Sequence, residues 1–106
     1  MFTHKGFTVN EAPNGWRIHD PLYPEECQNV GVFFGYSNAI NYIDDMLELE
    51  KQVVPEYQSH YIRKNGVGTW AVFHYVGTPV GSGQKFPSVR QAIYFIDKVV
   101  NRQFHR

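Results

Sequence analysis

Apolar residues fall along this chain in two rhythms, and each rhythm occurs twice. Trp16, Ile18 and Asp20 alternate with Arg17 and His19, the period of two that a half-buried strand requires. Asn14-Gly15 separates them from Phe7-Thr8-Val9. Asn-Gly between apolar runs is a strong hairpin signal, because both residues tolerate positive φ. In the second half, Asn65-Gly66 stands between His60-Tyr61-Ile62-Arg63 and the run 70–76, with Val67-Gly68-Thr69 lengthening the turn. A third strand is expected in each half: 30–34, after a loop over 21–29, and 84–86, after a glycine-rich loop over 77–83.

The period then changes to 3.6. Ile40, Ile43 and Leu47, widened by Ala39, Met46 and Leu49, form the apolar stripe of a helix over 37–52. Val89, Ala92, Ile93, Ile96, Val99, Val100 and Phe104 form a second stripe, which places Tyr94 towards the polar side. Ser88, with Gln91 three residues on, makes a capping box at its start. Pro55 cannot continue a helix and marks the junction between the halves.

The halves also agree in spacing. Phe33 stands six residues before Ala39 in Ala-Ile-Asn-Tyr-Ile-Asp, and Phe86 six before Ala92 in Ala-Ile-Tyr-Phe-Ile-Asp. The predicted order is therefore β-β-β-α-β-β-β-α. This is an α+β fold of two tandem β-β-β-α units, 1–53 and 56–106, packed as one pseudo-twofold domain with helices against antiparallel sheet. A unit of about 50 residues buries too little to stand alone, so 1–106 is expected to be a single domain. Trp16 and Trp70 are expected to be equivalent core anchors.

Composition supports a folded chain: 42% of residues are hydrophobic and 16% aromatic, with zero net charge, where disordered segments are poor in aromatics and highly charged. A single cysteine, Cys27, precludes an intrachain disulfide. The longest apolar runs fall far short of the roughly 18 residues that span a bilayer. No basic start followed by an apolar stretch opens the chain, so the expected setting is the reducing cytoplasm, away from membranes. The charge is unevenly distributed. Residues 1–53 hold three Lys/Arg against eight Asp/Glu, and residues 54–106 hold seven against two. Such a split suits attraction between the halves, a charged partner, or a symmetric homodimer.

Catalytic signatures are weak. The glycine-rich segment before Lys85 lacks P-loop spacing, and Lys85 leads into Phe86-Pro87. The five histidines, His4, His19, His60, His74 and His105, include no His-x3-His pair, although His19 and His74 fall at corresponding places on their strands. Glu25 and Glu26 beside Cys27 oppose a thiolate. Asp44, Asp45 and Glu48 read as a solvated helix face. No enzyme, cofactor or metal site is expected.

The function expected on these grounds is a non-enzymatic protein-interaction module. Its partner-binding residues would be Tyr23, Glu25, Glu26, Asp45, Glu48 and Tyr94. The alternative is nucleic-acid binding through Arg63, Lys64, Lys98, Arg102 and Arg106, with the strand Phe73-His74-Tyr75 offering rings for bases. The plan of Asn-Gly-Trp, a strand, Phe33, then an Ala-x-x-x-Ile-Asp helix resembles small uncharacterised bacterial and phage-type proteins of a few strands and one helix. That resemblance implies an accessory or inhibitor protein of a bacterium or its phage. The layout is also similar to the three-stranded-sheet-plus-helix domains of plant transcription factors and phage integrase arms, which place the sheet in DNA; Arg17 and Arg63 are the matching basic positions.

Overall fold

The computed structural model describes residues 2–66, 68–80 and 83–104, with side chains to residue 100. Strands β1 (Phe2–His4), β2 (Phe7–Ala12) and β3 (Gly15–His19) form one antiparallel sheet in that order. A short helix α1 (Pro24–Cys27) runs into a 3-10 turn (Gln28–Val30), and helix α2 (Tyr36–Leu49) follows. Strands β4 (Glu56–Tyr57), β5 (His60–Lys64), β6 (Trp70–His74) and β7 (Lys85–Phe86) form a second antiparallel sheet, and helix α3 spans Val89–Phe104. The fold is α+β, as expected, with two sheets.

Several elements differ from expectation. The predicted strand over 30–34 shrinks to one bridge, in which Phe33 and Trp16 exchange backbone hydrogen bonds of 2.7 and 2.8 Å. The predicted loop over 21–29 contains α1. Its signal was in the sequence: Pro24 at the first helical position followed by two acids. Strands β1 and β4 were not foreseen. Each joins the next strand through a turn with positive φ at both tip residues: Lys5 (49°) and Gly6 (90°), then Gln58 (50°) and Ser59 (63°). The first Asn-Gly hairpin forms one position earlier than read, since Ala12 pairs with Gly15 and Pro13-Asn14 make the tip. Gly15 has φ 148°, and a Cβ there would stand 2.0 Å from the Phe33 carbonyl oxygen. The bridge and the glycine therefore require each other.

The two sheets use matching registers. Val9 faces Ile18 in the first, and Ile62 faces Val72 in the second. Trp16 pairs with Phe33, and Trp70 with Phe86. Phe7, Val9 and Ile18 share one core with Ile62, Val72 and Phe86. Ala39, Ile43 and Met46 of α2 enter it, as do Val89, Ala92, Ile93 and Ile96 of α3. Helix α2 packs on β3, α3 packs on β5, β6 and β7, and the helices touch each other. Trp16 and Trp70 are only half-buried and pack at the margin of this core rather than anchoring it.

α1 and the 3-10 turn pack on α3 as well. This third neighbour overturns the placement of Tyr94, which is 0% exposed. Only half of the capping box forms: Gln91 N donates to Ser88 Oγ at 3.2 Å, while the Gln91 side chain donates to Glu26 instead.

Candidate functional site

The six residues expected to bind a partner do not form one surface. Glu25 is exposed on α1, but Glu26 accepts from Gln91 Nε2 at 3.3 Å and Tyr23 packs against the core. Asp45 and Glu48 are exposed on α2, where Glu48 pairs with Lys51 at 3.3 Å. Tyr94 is removed from the surface altogether, because its hydroxyl donates to Asp20 Oδ2 at 2.7 Å. Asp44 is held by Lys5 (2.9 Å) and His4 (2.8 Å), which keep its carboxyl below the usual range.

The basic set is divided too. Cross-strand register places Tyr61 opposite Phe73, and Arg63 opposite Ala71, which also faces Lys85. These residues alternate with the buried Ile62 and Val72, so they lie on the sheet face turned away from α3. The Arg63 guanidinium lies over the Phe73 ring at 5.8 Å. Lys64 is paired with Trp70 and falls on the other face, and Lys98 is exposed on α3. His105 and Arg106 lie outside the described residues, as does the side chain of Arg102. His74 packs on His60 with ring centroids 5.3 Å apart, not on His19, and His60 Nδ1 donates to the Gln58 carbonyl at 2.7 Å. Among the described residues no three His, Cys, Asp or Glu side chains gather as a metal site.

Two buried polar clusters join the halves. In the first, Asp20 is fully buried and accepts from the Leu22 amide at 2.9 Å and from Tyr94. Arg90 reaches Asp20 at 3.4 Å and Glu50 at 2.9 Å, with its guanidinium 4.9 Å from the Phe7 ring centroid. Burial opposes the Arg90 charge, but Glu50 and Asp20 outweigh it and raise its pKa. Burial likewise pushes the Cys27 thiol up, and its Sγ donates to the Ile18 carbonyl at 3.5 Å. A thiol so placed is a poor nucleophile.

The second cluster is Tyr42, Asp97 and Tyr57, from α2, α3 and β4. Tyr57 Oη donates to Asp97 Oδ1 at 2.6 Å, and Tyr42 Oη donates to Asp97 Oδ2. Burial raises the Asp97 carboxyl above its ordinary value, and the two phenols pull it only part of the way back. Both phenols are pushed upward, by burial first and then by the Asp97 charge. In front of them opens a cleft of about 270 Å³ between α2 and the β4–β5 turn, lined chiefly by Phe33, Asn41, Tyr42, Asp45, Tyr57 and Gln58.

An aromatic corner stands where β1, β3 and the start of α2 meet. Tyr36 packs edge-on against Trp16 (5.1 Å) and Phe2 (5.4 Å). Two residues before it in the chain, Phe34 is 93% exposed, and Val32 is exposed as well. No local pattern in the sequence marks this corner. Phe2 belongs to an unforeseen strand, and the expected strand over 30–34 would have paired the segment that carries Phe34. No helix is long and apolar enough to cross a membrane among the described residues. No family model matches the chain, and no curated protein or solved structure compared with it does so either.

Proposed function

We propose that this protein is a non-enzymatic interaction module that docks a partner protein through its aromatic corner. The observation that carries this reading is Phe34, left 93% exposed in the chain between Phe33, which bridges to Trp16, and Tyr36 of the Phe2–Trp16–Tyr36 cluster. Burying a phenylalanine is worth about 1.5–3 kcal/mol, and aromatic anchors of this kind dominate protein interfaces. The partner it suits offers an apolar pocket for Phe34, in an accessory or inhibitory role of the kind found in bacteria and their phages. The titratable groups Asp20, Arg90, Tyr94 and Cys27 are spent on holding the fold, which fits a binding role better than a catalytic one. The buried free thiol suits the reducing cytoplasm. Matching registers in the two sheets support descent from one repeated β-β-β-α plan with a pseudo-twofold relation.

A second reading rests on Tyr61, Phe73, Arg63 and Lys85. Two rings flanked by two cations on an open sheet face are the ingredients of a single-strand nucleic-acid platform. Affinity capture with the wild type, Phe34→Ser and Arg63→Glu, each with and without nuclease, separates the two. A protein retained by the wild type after nuclease and lost with Phe34→Ser supports docking at the corner. Loss with nuclease or with Arg63→Glu, but not with Phe34→Ser, moves the function to the sheet. Sedimentation of the purified chain tests whether the partner is a second copy.

A further inference from the structure

We propose that the cleft between α2 and the β4–β5 turn is a binding site for an organic cation of side-chain size, an alkylammonium or guanidinium group. Tyr42 and Tyr57 line the cleft, and each gives its single proton to Asp97. Any further hydrogen bond to either oxygen can therefore only be accepted, and the Gln58 side chain already supplies one to Tyr57. Asp45 lines the cleft, is exposed, and makes no ion pair among the described residues. Behind the phenols, Asp97 is a part-buried carboxyl with no cationic partner among the described residues. No Lys, Arg or His of the described residues lines the cleft. Apart from the side-chain amides of Asn38, Asn41 and Gln58, each of which offers an acceptor oxygen beside its donors, the polar groups lining the cleft are acceptors or anions, and they favour a donor-only cation. Phe33 and Tyr42, with ring centroids 5.2 Å apart, supply the aromatic surface that attracts such cations. The volume of about 270 Å³ lies just below the range of ordinary small-molecule pockets, which matches one amine or guanidine with its alkyl stem.

This inference does not rest on docking at the aromatic corner. Asn41, Tyr42 and Asp45 occupy the face of α2 opposite Tyr36, by the 3.6-residue period. The test is an NMR titration of the full chain with Nα-acetyl-arginine methylamide and Nα-acetyl-lysine methylamide, using the neutral citrulline analogue as control. Saturable shifts at the side-chain amides of Asn41 and Gln58 with at least one cationic probe, and none with citrulline, are expected. Asp45→Asn, at an exposed position, is expected to weaken binding about fivefold, the loss of one exposed ion pair. Phe34→Ser is expected to leave it unchanged. Absence of saturable shifts, equal response to citrulline, or full binding by Asp45→Asn overturns the proposal and leaves docking at the corner standing.

Discussion

A Cβ at Gly15 would meet the Phe33 carbonyl oxygen at 2.0 Å, on a backbone with φ 148°. Neither partner has room to yield, because Trp16 and Phe33 bind each other through both backbone hydrogen bonds. Gly15→Ala is expected to cost about 3 kcal/mol, combining backbone strain with the loss of that bridge. Urea denaturation measures it directly. Asp97 makes a different statement at the same scale. Its carboxyl is raised by burial, so the folded state holds its proton more tightly than the unfolded state does. Its contribution to stability is therefore present below the ordinary aspartate pKa and is lost as pH rises through the folded value. Asp97→Asn removes this slope. The stability of the wild type relative to the variant is expected to fall as pH rises above the ordinary aspartate range, which paired denaturation series across acid and neutral pH would show. Asp97 was visible in the sequence only as the end of a helical hexad. Its phenols lie 55 and 40 residues away, and no local pattern connects them.

At the scale of elements, the helices were the most legible parts, because α2 and α3 bury residues at the helical period: Ala39, Ile43 and Met46 in one, Ala92, Ile93 and Ile96 in the other. Short strands were the least legible. β1 and β4 contain three and two residues, too few to show alternation, and their turns place Lys5, Gln58 and Ser59 at positive φ without a glycine at those positions. Helix α1 matters through what it covers. Packed on α3, it turns the nominally polar side of that helix into an interior where Tyr94 meets Asp20. Arg90 ties α3 to the end of α2 through Glu50 and to the segment after β3 through Asp20. Arg90→Met leaves Asp20 buried without its cation, and a loss of about 3 kcal/mol or more is expected. The double variant Arg90→Met with Asp20→Asn is expected to lose less than the sum of the two single losses, because the substitutions remove the same interaction. Thermal and chemical denaturation of the three variants gives the coupling.

Over the whole molecule, the acidic first half and the basic second half meet inside the fold. Asp20 and Glu50 come from one half and Arg90 from the other, while Tyr42 of the first half and Tyr57 of the second share Asp97. With one core drawn from both sheets and two polar clusters joining the halves, the halves are expected to unfold together. Single-tryptophan variants Trp16→Phe and Trp70→Phe leave a reporter in one sheet at a time. Their fluorescence transitions are expected to coincide with each other and with the circular dichroism transition. Separate midpoints would show that each unit carries its own stability.

The two long helices, the central hairpin of each half and the α+β class were legible in the chain alone, because they follow from the periods of nearby apolar residues and from Asn-Gly signals that mark each hairpin to within a position. Which polar residues are buried and which aromatic ones are left in water depended on long-range packing. Tyr94 was internalised by α1, and Phe34 stayed exposed because only Phe33 of its segment bridges to the sheet. Burial is fixed by how many neighbours an element acquires, and those neighbours arrive from the far half of the chain, beyond the reach of any local pattern.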